Sequence, residues 1–294
     1  QAPIFSHALG YVAQASPGQL KENPSLRPGD TLGKRSLERA LEKELRGKKG
    51  RKVLEVDAQG RMLKERVVRD PESGENFRLT LDADLQRHIW REMGDKSGAV
   101  VVMQPHTGNI LALVSKPGYD GNVFVNGIST EKWQNLLNNP RDPLRNKVIQ
   151  GTYPPGSVFK LVVAAAALKN DAIPLDEEIH CPGFYRLGNR VFRCWKRGGH
   201  GDVALREAIK QSCDVYFYQL GERLGIDTIS EYARSNGFHQ PTDIILSGEH
   251  EGVIPSREWK LRHIGRSWQG GDTLNTAIGQ GYTLVTPLQV ARFI

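Results

Sequence analysis

Tyr153-Pro-Pro-Gly-Ser-Val-Phe-Lys-Leu-Val-Val-Ala-Ala-Ala-Ala-Leu168 sets a run of strong helix formers directly behind a Pro-Pro-Gly stop. That order predicts a buried helix over Ser157 to Leu168. A spacing of three puts the Ser157 hydroxyl and the Lys160 amine on one helical face. The helix start also offers unpaired backbone N–H groups and a positive dipole end, which favour an attacking alkoxide and a developing oxyanion. A partly desolvated lysine can act as a base toward the hydroxyl. Taken alone, the pair equally fits an N-capping serine with a solvated lysine one turn later.

Outward from this stretch, the next chemistry-bearing group is Ser212-Cys213-Asp214, between one helical pattern and the next. A second hydroxyl facing the first pair could relay a proton to a leaving group, and Asp214 could fix that geometry. Asp214 by itself also reads as a helix cap.

Upstream, Gly98 to Ser115 holds two apolar runs around Gln104-Pro-His-Thr-Gly108, predicting a hairpin covered on both faces. Leu81, Leu85, Ile89 and Met93 recur every four residues between Asp82 and Gly94, a helix that opens the larger domain near residue 77. Residues 1–76 read as a basic, loop-rich appendage with one helix, which Ser36 caps and Gly47 ends. Further helices are expected at about 203 to 212, 214 to 224, 227 to 236 and 286 to 293. With helices outnumbering strands after the hairpin, the fold class is α+β.

Forty Lys and Arg against 33 Asp and Glu give a net charge of +7, which favours an anionic partner such as an acidic polymer or membrane surface. No basic block is interleaved with aromatics, so no nucleic-acid partner is expected. The most apolar run, Leu161 to Leu168, is far shorter than the ~18 residues of a membrane span. Any membrane anchor is expected outside this sequence.

Tyr153-Pro-Pro-Gly-Ser-Val-Phe-Lys160, Ser212-Cys-Asp214, and Ile278-Gly-Gln-Gly-Tyr282 followed by Thr286-Pro-Leu-Gln289 resemble the penicillin-binding protein and serine β-lactamase superfamily. Gly248-Glu-His, Ile254-Pro-Ser-Arg-Glu-Trp-Lys260, Leu79-Thr-Leu-Asp82 and Gly33-Lys-Arg-Ser-Leu-Glu38 narrow the likeness to the elongation-type class B members, the penicillin-binding protein 2 group. The resemblance implies a sheet flanked by helices over 77–294, behind a partial non-catalytic pedestal or dimerisation-like domain over 1–76. It implies Ser157 as acylated nucleophile, Lys160 as its base, and Ser212 with Asp214 as the second motif. The reaction implied is peptidoglycan D,D-transpeptidation of D-Ala-D-Ala stem peptides, with β-lactams as acylating mimics. A SEDS-family glycan polymerase and an MreC-type scaffold are the implied partners, and the periplasmic side of the bacterial inner membrane the implied place. A D,D-carboxypeptidase, a β-lactamase and a non-catalytic scaffold are the alternatives on this fold. The resemblance also implies a third motif, Lys followed by Ser or Thr and Gly, on a strand after Gln289. Lys48-Lys-Gly50, Lys116-Pro-Gly118 and Lys196-Arg-Gly198 have neither its hydroxyl nor its position, so that strand is expected outside this sequence.

The three cysteines and one histidine form Cys181-x12-Cys194-x5-His200-x12-Cys213, a Cys3His set that suits tetrahedral structural zinc. A Cys181 to Cys194 disulfide with Cys213 buried, or three unrelated thiols, are the alternatives. Some elongation-type relatives carry a zinc site here, so the resemblance favours the metal. Zinc would pin the loop between the first two motifs and, through Cys213, hold Ser212 and Asp214 on either side.

Overall fold

The computed structural model describes residues 2–294. Its contacts group the chain into two units, Gln1–Asn146 with Ile244–Ser247, and Lys147–Asp243 with Gly248–Ile294.

The first unit begins with α1 (Ala2–Leu9), β1 (Val12–Gln14), α2 (Pro17–Glu22) and β2 (Thr31–Gly33), with β1 and β2 antiparallel. The single helix expected after Ser36 is two short ones, α3 (Ser36–Ala40) and α4 (Glu42–Arg46), broken at Leu41. Ser36 does not cap. Its backbone lies at φ +51°, and its hydroxyl donates to the His7 carbonyl instead. Gly47 ends α4 as expected. The remainder of the appendage is less loop-like than its composition suggests, because β3 (Arg51–Val56) and β4 (Met62–Arg69) pair antiparallel. Charged residues interrupt the apolar alternation of these strands, so the sequence gives little sign of them.

Asp82 caps α5 (Ala83–Glu92) by accepting from the backbone N–H groups of Asp84 and Leu85. The expected hairpin is β5 (Gly98–Met103) with β6 (Ile110–Lys116), antiparallel and irregular between Val102 and Met103. Only β6 is covered as expected, burying Ala112 to Ser115; every residue of β5 is half-buried. Gln86 locks helix to hairpin, donating from Nε2 to the Leu113 carbonyl at 2.7 Å and accepting from the Leu113 N–H at 2.8 Å. A fully buried amide with both ends satisfied by one backbone residue fixes the register of α5 along β6. The polar stretch after the hairpin contains α6 (Thr130–Leu137), capped by Ser129.

The second unit opens with a 3-10 turn, Gly156–Phe159, that runs directly into α7 (Lys160–Lys169). Four short strands follow: β7 (Ile179–Cys181), β8 (Phe184–Leu187), β9 (Arg190–Arg193) and β10 (Gly201–Val203). They pair as two antiparallel ribbons, β7 with β10 and β8 with β9. Three- and four-residue strands are too short for period-two alternation to show in the sequence. Then come α8 (Leu205–Lys210) and α9 (Asp214–Ser235), which kinks at Gly225, where φ is +72°. That kink separates the two expected helices. α10 (Arg257–Ile264), α11 (Gly270–Ala277) and α12 (Pro287–Phe293) complete the unit. The core centres on α7 and α9, with Phe159, Val163, Tyr216, Phe217 and Leu220 almost fully buried. Among the described residues, no helix is long and apolar enough to cross a membrane.

Candidate active site

Ser157 is exposed in the 3-10 turn, whereas Lys160, on the first turn of α7, is 2% exposed. The turn is braced from the far end of the unit. Gly156 N–H donates to the Gly279 carbonyl at 2.9 Å, and Tyr153 exchanges two backbone hydrogen bonds with Val285. A β-carbon at Gly279, whose φ is +70°, would stand 2.1 Å from the Gly156 carbonyl oxygen. Only glycine fits there. The Ile278-Gly-Gln-Gly-Tyr282 stretch therefore shapes the serine turn by close backbone approach.

Ser212 and Asp214 reach the same place through the join of two helices. α8 ends with the Cys213 N–H bonded to the Ala208 carbonyl and the Ser212 N–H bonded to the Ile209 carbonyl. This is the Schellman arrangement, which puts its closing residue in the left-handed region where glycine is usual. Here that residue is Ser212, at φ +52°. The turn aims both oxygens of Ser212 at Lys160 and starts α9 with Asp214 one residue beyond the capping Cys213.

Lys160 Nζ donates to the Ser212 carbonyl at 2.9 Å, to Ser212 Oγ at 3.0 Å and to Asp214 Oδ1 at 2.6 Å. Ser212 Oγ lies 2.8 Å from Ser157 Oγ. The structure thus brings together all four residues singled out in the sequence. It also alters their connection: the amine makes no hydrogen bond to Ser157, and Ser212 stands between the two. A 3-10 turn sets i and i+3 side chains along one line rather than across from each other, which leaves room for the second hydroxyl. Lys160 also lies 5.6 Å from the centre of the Phe217 ring.

Sequence reasoning passed over Trp195. Its backbone N–H donates to Asp214 Oδ2 at 2.9 Å, and its indole N–H donates to the Ser212 carbonyl at 3.0 Å. A tryptophan beside a candidate metal ligand was the available signal.

The metal-ligand set converges as well. The candidate ligand atoms of Cys181, Cys194, His200 and Cys213 all lie within 4.8 Å of one another. Cys181 ends β7, Cys194 follows β9, His200 precedes β10 and Cys213 caps α9, so the two ribbons and the helix join deliver one ligand each or two. His200 Nδ1 lies 3.5 Å from Cys181 Sγ and 3.6 Å from Cys194 Sγ. A tetrahedron with metal–sulfur bonds of about 2.3 Å and a metal–nitrogen bond of about 2.0 Å has S···N edges of roughly 3.6 Å. The donor set therefore fits zinc. All three thiols are free and buried, so the Cys181 to Cys194 disulfide is not formed. Burial pushes the Cys213 thiol up to about 12 and holds the His200 imidazole below its ordinary value. Neutral imidazole is the ligating form, whereas binding through Cys213 must displace a proton.

Fold and site join two serine hydroxyls, a buried lysine amine and a carboxylate in one hydrogen-bonded chain, the set of groups that acyl transfer to serine requires. The chain belongs to the penicillin-binding protein transpeptidase domain family, whose pattern it matches over residues 98–294; residues 1–79 match the penicillin-binding protein dimerisation domain. It is 39% identical over 98% of its length to peptidoglycan D,D-transpeptidase MrdA of Haemophilus influenzae, covering 46% of that protein. Against MrdA of Escherichia coli K12 the identity is 36%, over 98% of this chain and 47% of the relative. The chain thus spans about half the length of the curated relatives it matches. Penicillin-binding protein 2 of Helicobacter pylori, solved in complex with MreC, superposes with a TM-score of 0.90 at 40% identity, covering 98% of this chain and 55% of that one. Pseudomonas aeruginosa penicillin-binding protein 2, solved with WCK 5153, gives 0.83 at 36% identity, covering 99% and 62%.

Proposed function

We propose that this chain carries the acylation centre of a peptidoglycan D,D-transpeptidase acting in cell elongation. The observation that carries the reading is the unbroken path from Ser157 Oγ through Ser212 Oγ to Lys160 Nζ, with links of 2.8 and 3.0 Å. Ser157 Oγ attacks the carbonyl of the penultimate residue of a D-Ala-D-Ala stem peptide. Once the Lys160 ammonium has released a proton to solvent, the serine proton passes to Ser212 and the Ser212 proton to Lys160 Nζ. Collapse of the tetrahedral adduct breaks the C–N bond, and the departing D-Ala nitrogen takes its proton back along the same path. An amine from a second peptide then attacks the ester, forms the cross-link and frees Ser157. Asp214 holds Nζ in place without touching the nucleophile. A β-lactam opens on Ser157 by the same steps and stays attached.

Zinc would be held by Cys181, Cys194, His200 and Cys213 as a closed four-ligand structural site, supplying rigidity and no chemistry. Its benefit to the reaction is positional, because Cys213 separates Ser212 from Asp214. The relatives solved with MreC and in a peptidoglycan synthase complex support an MreC-type scaffold and a glycan polymerase as partners. The corresponding place of action is the periplasmic side of the inner membrane. Mass spectrometry of the full-length protein after incubation with penicillin tests the core of this reading. One adduct is expected, on Ser157, and none in Ser157→Ala; normal labelling of that variant would remove Ser157 from its role.

A further inference from the structure

The β8–β9 ribbon has two unlike faces. Tyr185, Leu187 and Phe192 pack inward against the core. On the other face, Phe184 stands opposite Arg193 and Arg186 opposite Val191, and all four are exposed. With Gly183, Arg197 and the wall formed by Cys194, they line a cleft of about 310 Å3. Three guanidinium groups thus border one concavity. Among the described residues, none of the three makes an ion pair or side-chain hydrogen bond, whereas Arg223, Arg257 and Arg262 of the same unit each engage a carboxylate. Clustered arginines without acidic neighbours repel one another, and an anion in their midst removes that cost.

We propose that this cleft binds the carboxylates of an acidic peptide, the strand whose amine takes the acyl group from Ser157. The guanidinium fork matches a carboxylate with two parallel hydrogen bonds, and Phe184 and Val191 offer apolar surface to the alkyl segments between charges. The shallow, open shape suits an extended chain. Position favours the acceptor over an unrelated anion. Cys194, in the cleft wall, is followed by Trp195, whose N–H groups hold Asp214 and Ser212. The cleft wall therefore adjoins Asp214, on the Ser212 side of the proposed centre. The assignment rests on the transpeptidase reading for the word acceptor, and on the cleft alone for the acidic ligand.

Calorimetric titration of the full-length protein, acylated beforehand with penicillin, uses the tripeptide Ala-Glu-Lys with both carboxylates free, its bis-amide, and inorganic phosphate. The acid should bind at least about tenfold tighter than the bis-amide, the scale of one or two charge-assisted hydrogen bonds. Arg186→Gln/Arg193→Gln should erase that preference while leaving the rate of penicillin acylation unchanged. Equal binding of acid and bis-amide, or an undiminished preference in the variant, overturns the proposal. Binding of phosphate with none of the acidic peptide overturns it too, in favour of a phosphate-bearing polymer. Failure of penicillin to acylate the protein would count against the transpeptidase reading, and the same titration on unacylated protein would still decide the cleft.

Discussion

A lysine that is 2% exposed and bonded to three oxygens is held as much by Asp214 as by its helix. Removing one partner of such a pair leaves an uncompensated charge, so Lys160→Met should lose about 3 kcal/mol of stability in urea unfolding. It should also slow penicillin acylation by at least ~100-fold, the usual scale for loss of a general base. Lys160→Met/Asp214→Asn separates the two effects: at least half of the stability should return and none of the rate. A double variant no more stable than the single one would show that the ion pair is not the cause. Trp195 invites a finer cut. Trp195→Phe keeps a ring against His200, 5.5 Å away in the native protein, and removes only the indole donor shared by the Ser212 and Gln211 carbonyls. Acylation should slow by roughly five- to tenfold, the worth of about one hydrogen bond, at unchanged metal content. An unaltered rate would make the indole contact incidental. Residue types were legible in the sequence at all four positions of the hydrogen-bonded cluster. Their wiring was not, because the order Ser157, Ser212, Lys160 depends on a left-handed residue that no spacing rule announces.

The join of α8 and α9 shows how an element boundary can be shaped against its own propensity. The Schellman turn asks for glycine at Ser212, and the serine bears the left-handed backbone at a cost of about 1 kcal/mol. Ser212→Ala and Ser212→Gly both delete the relay hydroxyl, yet they differ in backbone cost. The glycine variant should therefore be the more stable by about 1 kcal/mol in thermal unfolding, net of its greater freedom when unfolded. Both should acylate equally slowly. If alanine proved as stable as glycine, strain would not be stored at this turn. The same logic explains which elements were readable. α5 and α7 have long apolar patterns, caps or proline stops, and were expected close to where they lie. β7 to β10 have neither length nor alternation, and β3 with β4 carry charge at half of their positions. β7 to β10 are fixed by tertiary contacts around the ligand residues, whereas β3 and β4, exposed along their whole length, are held by their pairing with each other.

For the whole molecule, the four candidate ligands would act, with a metal bound, as a staple between separate segments of the second unit. Cys181 and Cys213 bracket β8, β9, β10 and α8, all in the second unit. Without metal, a buried thiol pushed up to about 12 stays protonated, and the cluster is three thiols and an imidazole in loose contact. With zinc, the same atoms close a site whose binding free energy adds to the stability of the fold that forms it. Protein purified without added metal should therefore contain about one zinc per chain, the stoichiometry of a single closed Cys3His site. Chelation, or Cys213→Ser, should lower the unfolding temperature and the acylation rate together. Hydrogen exchange resolved by peptide locates the effect. Amides of β7, β10 and the start of α9 should lose protection, while those of α5 and β6, in the first unit and remote from the ligands in sequence, should keep theirs. Uniform loss across both units would mean that the metal supports the chain as one cooperative body, and no loss anywhere would mean that the cluster holds together by packing alone.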